Sequence, residues 1–287
     1  MTPTPRHARL PVRSLVRDGV RLSVHDSGGA ARPMLFQHGL CGSAQQTAEA
    51  FPADLIDATE ARLLTLECRG HGGSALGPVT DLSIATFTDD LAALVDELAS
   101  RTPDGRVDLG GISMGAAIAL RLAVLRPDQV RSLVLVRPAW VTTPAPDNMR
   151  PNAEVGDWLA YLSPAAARTA FDASPTAQLL AQIAPDNLAS LRGFFDRAPQ
   201  QATAELLGRI SADGPGISAA ALSALRLPVS VIGHAADAIH PMAHARELAA
   251  LIPGASLVEI TPKSVSKTAY LHDLHAALRQ HLRSLAA

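Results

Sequence analysis

The chain has 287 residues, of which 47% are hydrophobic and 18% charged, and its formal net charge is −2. So much apolar residue excludes a disordered chain. The near-neutral balance, with no basic block, argues against a phosphate-tracking surface for nucleic acid, and an aromatic content of 3% argues against a base-stacking or sugar-stacking platform. Two cysteines, Cys41 and Cys68, are too few for a disulfide framework. Residues 1–16 hold no apolar core of a secretion signal, and no apolar run reaches the ~18 residues of a membrane span, so a cytoplasmic protein is expected.

In chain order, Ser14–Arg17 and Arg21–His25 predict two short strands about the Asp18-Gly19 turn. Met34–Gln37 and Arg62–Cys68 are apolar runs that end in glycine-containing loops, the pattern of buried parallel strands. Thr86–Ala99 spaces Phe87, Leu91, Leu94, Val95 and Leu98 along one helical face. Val107–Ile112 predicts a strand, Ala116–Leu125 a helix and Val130–Val136 the next strand. From Pro138 to Leu225, prolines divide the chain into short helical pieces: Glu154–Tyr161, Pro164–Ala173, Ala177–Ile183, Leu188–Arg197 and Thr203–Ile210. A strand at Pro228–Gly233, a helix at Ala243–Leu251, a strand at Ser256–Ile260 and a helix at Thr268–Leu285 complete the pattern. Alternating strands and helices predict an α/β fold: a mostly parallel twisted sheet with helices on both faces and an inserted helical cap. The expected division is a core of residues 1–137 and 226–287 with a cap of residues 138–225.

Two motifs carry chemistry. Gly111-Ile112-Ser113-Met114-Gly115 lies between a predicted strand and a predicted helix, the setting of a nucleophile elbow that lifts the Ser113 hydroxyl above the sheet. Gln37-His38-Gly39-Leu40 follows the third strand. An oxyanion hole needs two backbone N–H groups aimed at one point, and Leu40 and Met114 are placed to supply them. His38 in that loop and Trp140 at the entry to the cap are expected beside the substrate pocket.

On these motifs, with Arg69-Gly70-His71-Gly72-Gly73-Ser74 and with Val231-Ile232-Gly233 followed by Asp237-Ala238-Ile239-His240-Pro241, the chain resembles the α/β-hydrolase fold family. The resemblance runs from about Val16 to Leu285 and is to the capped branch of small esterases, enol-lactonases and C–C bond hydrolases. It implies Ser113 as nucleophile, Asp237 as triad acid, the 69–74 stretch as a structural loop, and action on a small carbonyl substrate such as an ester or lactone. One element departs from the pattern. The family's triad histidine follows the last strand, where this chain reads Thr261-Pro262-Lys263-Ser264-Val265-Ser266-Lys267, with Val265 at the expected place.

Three readings stay open. Another histidine could serve, with His240 nearest in sequence logic and His234, His244, His272 and His275 as further candidates. Lys263 could serve as base, or as a cation for an anionic substrate. It and Lys267 are the only lysines among 25 basic residues. Lastly, the protein could be a non-hydrolytic member, a lyase, a cyclase or a ligand binder. No dinucleotide fingerprint and no zinc-ligand spacing occur, so neither cofactor nor metal is expected. The expected partners are a small-molecule substrate, without nucleic acid or membrane; a homodimer is compatible with the sequence.

Overall fold

The computed structural model describes residues 11–285. The stretch read for a secretion signal lies partly outside the described residues. The elements are β1 (Val12–Arg17), β2 (Val20–Asp26), β3 (Pro33–Gln37), α1 (Ala44–Ala50), α2 (Ala53–Thr59), β4 (Arg62–Leu66), α3 (Ile84–Ala99), β5 (Val107–Ile112), α4 (Met114–Leu125) and β6 (Val130–Val136). Next come α5 (Arg150–Tyr161), α6 (Pro164–Asp172), α7 (Pro175–Ile183), α8 (Pro185–Gly193), α9 (Gln200–Ser211) and α10 (Ala219–Ala224). The chain ends with β7 (Val229–Gly233), α11 (Met242–Leu251), β8 (Ser256–Glu259) and α12 (Lys267–Ser284).

The eight strands form one sheet in the order β1-β2-β4-β3-β5-β6-β7-β8. β1 and β2 pair antiparallel, as do β2 and β4, and the remaining pairs are parallel. Every residue of β3 and β5 is buried, which is why both are mostly apolar residues and glycine, with Gln37 and Asp108 as the polar members. Alternate residues supply two cores. Leu35, Leu109, Leu133, Leu135 and Val231 pack on the face carrying α3, α4 and α11. Met34, Phe36, Val134, Val136 and Ile232 pack on the face carrying α2 and α12.

α1 and α2 were not legible in the sequence. Each has seven residues with few large apolar side chains, so neither shows a helical stripe. Between β6 and β7 the chain is helical throughout, and α5 to α9 enclose a third apolar cluster around Val155, Phe171, Leu188, Phe195 and Leu207. Its prolines start helices as well as stop them: Pro164, Pro175 and Pro185 open α6, α7 and α8, where the missing N–H has no intrahelical partner to lose. The fourth predicted helix of this region, Leu188–Arg197, accordingly starts earlier, at Pro185, and divides into α8 and a 3₁₀ turn at Phe194–Asp196.

The order reverses between β3 and β5. The chain leaves β3 toward β4 on one side and returns to β5 on the other, so the loops after these two strands part and leave a crevice at their carboxyl ends. Registry aligns Gln37 with Gly111, Ile112 with Val136 and Val136 with Ile232, so the loops after β3, β5, β6 and β7 all open onto that crevice.

Candidate active site

Ser113 stands between β5 and α4 with φ 58° and ψ −116°, a left-handed conformation that costs a non-glycine residue on the order of 1–3 kcal/mol. The turn is possible because its neighbours are small. A Cβ on Gly111 would overlap the Gly115 carbonyl, and a Cβ on Gly115 would overlap Gln37 O at the end of β3. The Ser113 N–H donates to Val136 O at 3.0 Å, which ties the turn to the next strand.

The loop after β7 brings its own acid and imidazole to this serine. Ser113 Oγ and His240 Nε2 are 2.8 Å apart, and His240 Nδ1 lies 3.0 Å from Asp237 Oδ1. A carboxylate only accepts, so the shared proton sits on Nδ1, and Nε2 is left to accept from the serine hydroxyl. Asp237 is buried. Its Oδ1 also accepts from His240 N at 2.9 Å and from Asn187 Nδ2 at 2.9 Å, while Oδ2 accepts from Arg137 Nε at 2.8 Å and lies 2.6 Å from Nη2 in the ion pair. Burial pushes the Asp237 carboxyl up, but His240 and Arg137 outweigh it and hold the group ionised far below the usual range. Burial is also the largest influence on His240 and lowers its pKa; Asp237 opposes that, and the Arg137 cation reinforces it. The imidazole is therefore neutral, and able to accept a proton, at ordinary pH.

Arg137 and Asn187 hold the arrangement, and neither role carries a local signal in the sequence. Arg137 follows β6 with φ 46° and lies over the Tyr270 ring, its guanidinium carbon 5.9 Å from the centroid. Asn187 sits on α8, and its Oδ1 accepts from Ala238 N at 2.7 Å. The helical segment thereby grips the loop that carries Asp237 and His240.

The loop after β3 is pinned by its own amides. Gly39 N donates to Gln46 Oε1 at 2.7 Å, Cys41 N to His71 Nε2 at 2.9 Å, Gly42 N to Gly39 O at 2.9 Å and Ala44 N to Glu67 Oε1 at 3.0 Å. Burial raises the Glu67 carboxyl, but His25 and the N–H groups of Ala44 and Gly73 bring it down to about 2. Within this run, the Leu40 N–H meets no acceptor among the described residues. The same holds for Met114 at the first position of α4, where helix geometry leaves the amide unpaired. A Cβ on Gly39 would lie 3.4 Å from Ser113 Cβ, so this loop rests directly against the serine.

Ser113, His240, Arg137, Leu40 and Lys263 line a cavity of about 230 Å³, together with Met149, Asn152, Asn187, Leu191 and Phe194 from the helical segment. A larger groove of about 900 Å³ adjoins it across Cys41, Gly42, Gln46, Ser190 and Phe194. Two expected pocket residues are absent from the cavity wall. His38 is fully buried behind the loop, where Nδ1 donates to Gly39 O at 2.8 Å and Nε2 accepts from Cys68 N at 3.1 Å. Trp140 is packed in the core, and its Nε1 donates to Asp213 O at 2.9 Å. In both cases a ring that could face a ligand is drawn inward by a backbone partner.

The other sequence candidates divide clearly. Lys263 lines the cavity but makes no hydrogen bond to Ser113. Val265 is 74% exposed. His272 is exposed beside Asp273, and His275 Nε2 bonds Glu49 O at 2.9 Å. His234 lies 3.5 Å from Asp237 Oδ2 and His244 is on α11; neither bonds the serine. Burial pushes the Cys41 thiol up to about 12, which leaves it unreactive as a thiolate. His71 and the Arg69 side chain are buried supports of the 69–74 loop. Among the described residues, no group of three or more histidine, cysteine, aspartate or glutamate side chains could hold a metal ion, and no helix is long and apolar enough to cross a membrane.

Comparison with known proteins agrees with this fold. A family model described as the alpha/beta hydrolase fold matches residues 32–264. A provisionally assigned carbamate hydrolase of Pseudomonas syringae pv. syringae is 30% identical over 213 residues, covering 66% of this chain and 71% of that protein. An sn-1-specific diacylglycerol lipase of Danio rerio is 35% identical over 113 residues, which span 39% of this chain and only 33% of the lipase. Among solved structures, a thermophilic esterase from Thermogutta terrifontis superposes with a TM-score of 0.70 at 23% identity, over 98% of this chain and all of that one, a likeness of fold.

Proposed function

The chain belongs to the α/β-hydrolase fold family, and from that premise we propose that it is a serine hydrolase of a small carbonyl substrate, an ester or a lactone, with His240 as its base. The observation that carries this reading is the 2.8 Å contact between His240 Nε2 and Ser113 Oγ, backed by Asp237 at 3.0 Å. The relatives named above are described as a lipase, a carbamate hydrolase and an esterase, which supports the reaction class.

The steps follow from the geometry. Ser113 Oγ attacks the substrate carbonyl carbon as its proton passes to His240 Nε2. Asp237 fixes the Nδ1–H tautomer and stabilises the imidazolium that forms. The free N–H groups of Leu40 and Met114 receive the negative charge on the carbonyl oxygen. Collapse of the tetrahedral intermediate expels the alcohol, which takes the proton from His240. Water, deprotonated by the same imidazole, then attacks the acyl group, releases the acid and restores Ser113. Residues 138–225 act as a cap, since α5 and α8 supply Asn152, Asn187, Ser190 and Leu191 to the cavity wall.

Labelling with a fluorophosphonate probe, read by intact mass, tests the assignment. Wild type and Lys263→Met are expected to label. Ser113→Ala is expected not to label, and His240→Gln to label at least ~10³-fold more slowly, since removing the base of such a triad costs roughly 10⁴–10⁶ in rate. Labelling of His240→Gln at the wild-type rate would refute His240 as base. An unreactive wild type would favour a non-hydrolytic reading.

A further inference from the structure

The cavity beside Ser113 carries an uncancelled positive charge. Its wall holds two cations, Arg137 and Lys263, and no acidic side chain. Arg137 is neutralised by Asp237, through an Nε hydrogen bond and the ion pair. Lys263 has neither an ion pair nor a hydrogen bond among the described residues, whereas Lys267, four positions on, pairs with Glu49 at 3.0 Å. Burial and the Arg137 cation lower the Lys263 pKa, while Asp186 and Glu49 act more weakly in the opposite sense. A half-buried ammonium without a partner is unfavourable, and an incoming carboxylate would relieve that cost.

A second polar group faces the same space. Asn152 of α5 is 5% exposed and lines the cavity, and its amide nitrogen makes only a long contact of 3.7 Å to the Met149 sulfur. Gln46, Asn187, Ser190 and His240 add further uncharged polar groups, and Leu40, Ile112, Leu191, Phe194 and Ile239 supply the apolar part of the wall. The cavity is thus a compact space of mixed polar and apolar lining, in which Lys263 is an ammonium without an ion-pair partner and Asn152 an underused amide. Its volume of about 230 Å³ suits a short acyl chain, and the larger adjoining groove gives the leaving alcohol a way out.

We propose that Lys263 recognises a carboxylate on the acyl portion of the substrate, so that the preferred substrates are small carboxylate-bearing esters or lactones. This rests on the serine-hydrolase reading above and adds the substrate class to it. It also accounts for a lysine in the loop where the family carries its histidine, two residues before Val265. With the base supplied from the loop after β7, the loop after β8 carries a cation that binds the substrate.

Two methyl esters of equal chain length test the proposal: monomethyl glutarate, which carries a carboxylate, and methyl pentanoate, which does not. Wild type is expected to favour monomethyl glutarate in kcat/KM by about tenfold or more, the worth of one charge-assisted contact. Lys263→Met should bring the ratio of the two esters close to one, mainly through KM, and Lys263→Arg should keep most of the preference. Lys267→Met, which removes the same charge four residues away, should leave the ratio at its wild-type value. Lack of preference in wild type, or a ratio unaltered in Lys263→Met, would overturn the proposal. If neither ester is cleaved and Ser113 resists the fluorophosphonate, the hydrolase reading fails separately. The anion site is then read by calorimetric titration with glutarate. Binding weakened about tenfold or more in Lys263→Met sustains it, and absence of saturable binding to wild type overturns it.

Discussion

Asp237 and His240 lie three residues apart on one loop, and their side chains meet at 3.0 Å while the imidazole reaches Ser113 at 2.8 Å. The acid and the imidazole are delivered together by β7. The arrangement is compact enough that the Asp237 carboxylate also accepts the His240 backbone N–H, at 2.9 Å. One oxygen therefore sets both the position of the backbone and the tautomer of the ring.

Asp237→Asn separates these roles. The amide can still accept the backbone N–H, but it no longer holds the Nδ1–H tautomer. The rate of fluorophosphonate labelling should fall by roughly 10⁴. Arg137 loses its buried counter-charge, so urea unfolding should also show a loss of about 3 kcal/mol.

The pH dependence of labelling reports on His240. Its pKa lies below the ordinary histidine value, first because it is buried and then because of Arg137, so the acid limb should fall below pH ~6.5. Arg137→Gln removes a cation that disfavours the imidazolium. The His240 pKa then rises and the acid limb moves to higher pH, so the variant loses proportionally more activity at pH 6 than at pH 8. A parallel loss at both values would mean that Arg137 serves packing alone.

Several buried histidines predict acid instability. Burial lowers the pKa of His38, His71, His234, His240 and His281, the last to about 4. Below pH ~6.5 the unfolded chain binds protons that the native state refuses, so native stability falls as pH falls, until each folded pKa is passed. His281 alone is worth up to about 3 kcal/mol across that window. Urea midpoints measured from pH 7.5 to pH 4.5 should decline, and His281→Leu should flatten part of the decline.

Arg69 supports the fold from beneath the site. Its side chain is 1% exposed and bonds Asp90 through Nε at 2.8 Å and Nη2 at 3.0 Å, with Asp81 at 3.0 Å. Arg69→Met leaves the Asp90 carboxylate buried without its partner, and should cost about 3–5 kcal/mol in urea unfolding. Where the variant still folds, labelling of Ser113 should persist.

The fold was legible because its strongest signals are local. A buried strand, a glycine-flanked serine and a helix follow one another within nineteen residues at Val107–Leu125, and each constrains the next. Asp237 was legible from its distance to β7. His240 stood first among several histidines by its place after Asp237, but choosing it over Lys263 requires the ends of β5 and β7 to be placed side by side. Asn187 was not legible at all. Its contact with Asp237 spans fifty residues and exists only because α8 folds back over the strand ends. His38 and Trp140 were placed at the pocket because both belong to segments near the strand ends. Sequence does not say which way a ring turns, and backbone partners turn both away from the cavity.

In the proposed mechanism acid and imidazole are both supplied by residue 240, so the 113–237–240 relay calls on none of the described residues beyond that point. The connection after β8 is thereby released from proton transfer. Length or composition can change there without disturbing the hydroxyl–imidazole pair, so this segment is free to diversify toward new ligands while the reactive centre stays as it is. In a library of random substitutions, losses of serine reactivity should cluster before Pro241. Changes of ligand preference, by contrast, should gather in the seven residues between β8 and α12.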